Sequence, residues 1–115
     1  MQHYVFSKTG SLVVEAGVHR LYNDSGANWT IVGIRASAGT APAGASILVD
    51  VNVNGTTIFT TQANRPAIAA ATNTSGRVTN MDVVTVANGQ YVTVDVDQVG
   101  STTAGSDLTV QFEIQ

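Results

Sequence analysis

The residues best placed to do chemistry are carboxylates. Asp95 and Asp97 stand at i and i+2 in the alternating segment Tyr91–Gln98, so in an extended chain they share one face roughly 7 Å apart. Glycoside hydrolysis uses two carboxyl groups about 5–10 Å apart across a cleft, and this spacing meets that requirement. The same spacing describes a solvated outer face opposite the Val92, Val94 and Val96 stripe, which is the reading the pattern favours. Asp50 is ambiguous in the same way: it points away from the stripe of Ile47, Val49, Val51 and Val53, toward water or a neighbouring subunit. Calcium binding at these groups lacks the DxDxDG order of an EF-hand loop.

Other chemistries find less support. A serine nucleophile needs a base beside it, and the two histidines, His3 and His19, accompany no GxSxG elbow. They are also too far apart for an HExxH metal pair, and His19 reads as a partly exposed strand residue. With no cysteine, thiolate chemistry, disulfides and Cys-based zinc sites are excluded. The glycines of the 39–44 stretch GTAPAG precede neither a Lys-Ser/Thr pair nor a helix, so they form no phosphate cradle. Asn-X-Ser/Thr matches at Asn23, Asn28, Asn54 and Asn73 reflect a composition rich in those residues. The sequence therefore assigns no catalytic, cofactor-binding or metal-ligating residue. Tyr22, Trp29 and Tyr91 are the aromatic residues that could line a sugar-binding face, with Trp29 read first as a core anchor.

The elements that carry these residues are strands. One Lys, two Glu and four Leu leave few strong helix formers, whereas Val and Thr dominate and their β-branched side chains suit a pleated surface. Ile47–Val53 alternates in strand period and runs directly into Asn54-Gly55, the dipeptide of a type I′ turn, so a tight hairpin with residues 56–60 is predicted. Tyr91–Gln98 alternates in the same way, and so does the C-terminal run in which Leu108, Val110, Phe112 and Ile114 oppose Thr109, Gln111 and Glu113. Weaker strand patterns cover 4–6, 11–14, 19–22, 29–36, 77–79 and 83–86. About eight or nine strands at roughly 8–12-residue spacing, with no helical period between them, predict an all-β, single-domain antiparallel β-sandwich. The long connections 37–46 and 62–75 favour a jelly-roll-like order over a meander. Residues 1–14 are either an N-terminal arm or the first strands; residues 15–115 form the sandwich.

Composition bounds the partners. At 115 residues there is room for one core. A net charge of −3 with five scattered Lys and Arg argues against a nucleic-acid partner. No apolar run approaches the ~20 residues that cross a bilayer as a helix, and the first residues lack the order of a signal peptide, so a soluble chain made in the cytoplasm and not embedded in a membrane is expected. Only 11% of residues are charged, against roughly 25% in an average domain, and mean hydropathy is +0.14. Such a surface is expected to be covered in an oligomer or larger assembly.

A family resemblance is carried by Val18-His19-Arg20-Leu21-Tyr22-Asn23-Asp24, Trp29-Thr30-Ile31-Val32, Arg35-Ala36-Ser37, the 39–45 loop, and Val49 to Phe59 with its Asn-Gly-Thr-Thr-Ile-Phe run, ending at Gln62-Ala63-Asn64-Arg65-Pro66. These stretches, about half the chain, resemble the small jelly-roll modules of tailed-bacteriophage virion proteins. Where that family often has threonine after the loop proline, this chain has Ala43 and lacks the hydroxyl. The resemblance implies a non-enzymatic virion surface protein. A chain this short, with few residues before its first strong pattern, fits a capsid decoration protein, a homotrimer that binds the major capsid protein of the assembled head and stabilises the shell. Tyr4, Val5 and Phe6 are the expected capsid contacts, with Pro42, Arg65 and Pro66 as loop contacts. The alternative is a tail-associated receptor-binding module that recognises host glycan.

Overall fold

The computed structural model describes residues 2–17 and 19–115. Its strands are β1 (Gln2–Ser11), β2 (Arg20–Tyr22), β3 (Trp29–Thr40), β4 (Ile47–Val53), β5 (Thr56–Thr57), β6 (Ala67–Ile68), β7 (Thr74–Val78), β8 (Thr85–Val86), β9 (Tyr91–Gln98) and β10 (Ser106–Ile114), with one 3-10 turn at Gln62–Asn64. They form two antiparallel sheets, ordered β1-β10-β3-β7 and β2-β9-β4-β5, with β8 beside β3 and β6 beside β4. The chain changes sheet between β1 and β2, β2 and β3, β3 and β4, β6 and β7, and β8 and β9, and returns to the first sheet at β10. That order is a jelly roll. The strand total exceeds the expected eight or nine because two edge strands are each interrupted. β5 and β6 both pair with β4, and β7 and β8 both pair with β3.

The hairpin forms as the sequence predicts. Asn54 and Gly55 take φ of 50° and 84°, the left-handed pair that an I′ turn requires and that Asn and Gly tolerate. Its second strand is shorter than expected: only Thr56–Thr57 pairs as a strand, after which the chain leaves the sheet at Phe59 and returns at Pro66, whose carbonyl accepts the Val49 N–H. β3 is longer than the expected 29–36. At Gly33 its register with β10 slips, a bulge that lets both Ile31 and Ile34 face inward. Past that point Ala36 and Ala38 continue the inward row, side chains too small to mark a strand by hydrophobicity.

Inward rows of β3 and β10 pack on those of β4 and β9, placing Ile34, Val110, Phe112, Val49, Val51 and Val92 in the core. Each such burial stabilises the fold by about 1.5–3 kcal/mol. β1, expected as two short strands or an arm, is one ten-residue edge strand that pairs with β10. Tyr4 stacks on Trp29 and Phe6 meets the edge of Phe112. Trp29 is thus a core anchor of the first sheet.

Candidate functional site

Alternation sets up the outer face of the second sheet. With Val92, Val94 and Val96 turned toward the core, Tyr91, Thr93, Asp95 and Asp97 of β9 point out, beside Asp50 and Asn52 of β4 and Arg20 and Tyr22 of β2. The register aligns them in rows across the sheet: Tyr22 opposite Tyr91, Arg20 opposite Thr93 opposite Asn52, and Asp95 opposite Asp50.

One half of this face is covered by the chain itself. Asp50, expected to meet water or another subunit, is only 6% exposed. Its Oδ1 accepts the Thr57 hydroxyl at 2.6 Å and the Val51 N–H at 2.8 Å, and its Oδ2 accepts the Gln62 side-chain amide at 3.4 Å. The excursion from Phe59 to Arg65 makes this possible by bringing Gln62 back over β4. The Gln62 amide also donates to the Phe59 carbonyl at 2.6 Å, and Arg65 closes the far side with a 2.7 Å ion pair to Asp97. The Thr61 N–H donates to Asp82 at 2.8 Å, and this bond holds the Asp82 carboxyl below its ordinary value. A buried carboxylate with several donors is held in place by the fold.

The other half is open. Ala16 and Gly17 bulge outward between β1 and β2, after Glu15 has exchanged backbone hydrogen bonds with Val96 at 3.0 and 2.8 Å. The Gly17 N–H donates to Asp95 Oδ1 at 2.8 Å, and Asn52 donates to Asp95 Oδ2 at 2.8 Å. Between this bulge and the hairpin tip lies a groove of about 280 Å³, lined by Arg20, Asn52, Tyr91, Thr93 and Asp95. Thr93 is 7% exposed, and its hydroxyl makes no hydrogen bond to the described residues. The Tyr22 and Tyr91 rings meet at 5.5 Å. The Arg20 guanidinium lies 4.2 Å from the Tyr91 ring centre and donates to the Tyr22 hydroxyl at 3.1 Å, which raises its affinity for its proton further.

The acid pair Asp95 and Asp97 is therefore divided between two structural roles, one carboxylate fixed by Gly17 and Asn52 and the other by Arg65. Of the aromatic trio, Tyr22 and Tyr91 come together, whereas Trp29 is buried in the opposite sheet. His19 is exposed, immediately before β2, near Phe6.

The expected contact residues are distributed unevenly. Val5 is 59% exposed, while Tyr4 and Phe6 lean onto the core. Val14, after the end of β1, is 63% exposed. Pro42 is buried under a bond from the Ala71 N–H to its carbonyl, Pro66 is buried beside β4, and Arg65 is engaged with Asp97. Sequence reasoning did not single out Thr93, Asn52 or Gly17. The polar position Thr93 inside a valine-rich strand was the signal that could have drawn attention to it. No protein-family model matches the chain, and a search of curated proteins returns no match.

Proposed function

We propose that the protein is a structural component of a bacteriophage virion that decorates the capsid, assembling as a homotrimer on the major capsid protein of the completed head. The observation that carries this reading is the edge of the first sheet. β1 is ten residues long, pairs with β10 on one side, and among the described residues has no partner on the other. A long unpaired edge is a template to which another chain can add a strand. Val5 and Val14 stand exposed along and just beyond it, which suits a covered surface better than solvent. Such a partner stabilises the head by mass action, because a ligand that binds the assembled shell and not free subunits shifts assembly toward the shell. Division of the Asp95 and Asp97 carboxylates between structural partners supports a non-enzymatic role.

Immunogold labelling of virions tests the assignment: label distributed over the head supports it. Label confined to the tail overturns it in favour of a receptor-binding module. Val5→Glu and Val14→Glu are expected to leave the melting temperature of the isolated protein nearly unchanged while abolishing its co-sedimentation with heads.

A further inference from the structure

We propose that Asn54 is a site of spontaneous covalent modification: its side-chain amide is lost through a succinimide formed with Gly55, leaving aspartate and isoaspartate at the tip of the β4–β5 hairpin. Asn-Gly is the dipeptide in which this reaction meets least obstruction, because the attacking nitrogen belongs to a residue with no side chain. The sequence contains two, Asn54-Gly55 and Asn88-Gly89, and every other asparagine precedes a residue with a side chain. Both pairs lie in exposed turns. In both, a backbone N–H donates to the asparagine Oδ1, from Tyr91 at 3.0 Å for Asn54 and from Gly26 at 2.9 Å for Asn88. Exposure and the state of the side-chain carbonyl therefore do not separate them.

The nucleophile does. The Gly89 N–H donates to the Asn23 carbonyl at 2.7 Å, and Asn23 is completely buried. Removing that proton, or turning the nitrogen toward Asn88 Cγ, leaves a buried carbonyl without its donor. The Gly55 N–H lies outside the ladder that closes the hairpin and makes no hydrogen bond among the described residues, so it gives up its proton without such a loss. Only Thr56–Thr57 hold β5 to the sheet, and the rotation that brings the Gly55 nitrogen against Asn54 Cγ therefore unpairs little of it.

With the Gly55 proton taken by hydroxide, the nitrogen's electron pair forms a bond to Asn54 Cγ. The Cγ–Nδ2 bond then breaks, and Nδ2 leaves as ammonia with a proton from water. Water opens the resulting ring at either carbonyl: attack at Cγ yields aspartate, and attack at the main-chain carbonyl yields isoaspartate, whose backbone runs through Cβ and Cγ and is one atom longer. One water is consumed and one ammonia released, with no oxidant or reductant. The product carries one more negative charge, and the isoaspartyl form puts an extra atom into an I′ turn whose geometry is fixed by the strands on either side.

The reaction depends on the fold and not on where the protein sits on a virion, so purified protein tests it. The protein is held at mildly alkaline pH, either folded or unfolded in urea, in water enriched in a heavy oxygen isotope that both products take up. Peptides containing Asn54 and Asn88 are then followed by mass spectrometry, with fragmentation that separates aspartate from isoaspartate. In the folded protein Asn54 is expected to convert about tenfold faster than Asn88, the ratio set by one hydrogen bond to a buried carbonyl. In urea, where that bond is gone, the two sites are expected to convert at similar rates. The proposal is overturned if Asn88 converts as fast as Asn54 in the folded protein, or if folded Asn54 keeps its amide while the unfolded chain loses both.

Discussion

Across β9 and β4, Asp50 and Asp95 face each other in register on the same outer surface, but the chain treats their surroundings differently. Around Asp50 the 59–65 excursion folds back, and Thr57 and Gln62 turn an outward-facing carboxylate into an internal one, while Arg65 pairs with the more exposed Asp97. Around Asp95 the nearest covering segment is the Ala16-Gly17 bulge, which fixes one oxygen and then leaves the surface open. The comparison shows that a polar outer face is not one thing. Where a loop folds back over it, as at Asp50, it becomes a second, polar core; where the covering segment stops at the Ala16-Gly17 bulge, a groove stays open.

Breaking the covered half should cost the most. Phe59 is completely buried at the root of the excursion, and Phe59→Ala is expected to destabilise the fold by about 3–5 kcal/mol in chemical denaturation. Asp50→Ala should follow at about 1–3 kcal/mol, since it strands the Thr57 hydroxyl without an acceptor and removes one of the two acceptors of the Gln62 amide. A loss as small as that of an ordinary surface substitution would mean that the excursion does not seal Asp50.

Acid sharpens the same comparison. Asp82, anchored by the Thr61 N–H, titrates below its ordinary value in the folded protein, so the unfolded chain binds the extra proton first. The stability it contributes is present above the ordinary carboxylate range and is lost as pH falls through its lowered folded-state value. Glu113, beside Arg77 on the other sheet, is lowered in the same direction and adds to the loss. Urea midpoints measured from neutral to acid pH should decline, and Asp82→Asn should flatten part of that decline; an unaltered profile would detach the Asp82 bond from stability.

The smallest effect on stability belongs to the open half. Tyr22 is exposed and its principal neighbour is Tyr91 across the strand pair, so Tyr22→Ala should lower stability by less than about 1 kcal/mol. A larger drop in thermal melting would recast the tyrosine pair as structural glue.

Several elements are legible because their signal is local. Ile47–Val53 and its Asn-Gly turn, Tyr91–Gln98, and the alternation running to Ile114 all carry period-two patterns that specify strand and face without help from distant residues. Other elements hide because their inward positions are not hydrophobic. In β1 the inward row includes Lys8, whose ammonium reaches Glu15 at 2.9 Å, and this charge interrupts the apolar pattern of one continuous strand. Ala36 and Ala38 conceal the second half of β3 in the same way.

The antiparallel β-sandwich, the place of its tightest hairpin turn, and the outward side of Asp50, Asp95 and Asp97 all follow from the sequence pattern. Tertiary structure alone decided which of those residues are covered. The groove depends on Gly17 meeting Asp95 across 78 positions and Asn52 meeting it across 43, and the Asp97 ion pair reaches Arg65 across 32. Alternation is a property of neighbours along one strand and fixes only a side. Whether that side is sealed or open depends on where a distant loop comes to rest, which is settled when the sheets close on each other and the loop's buried residues, Phe59 above all, take their places.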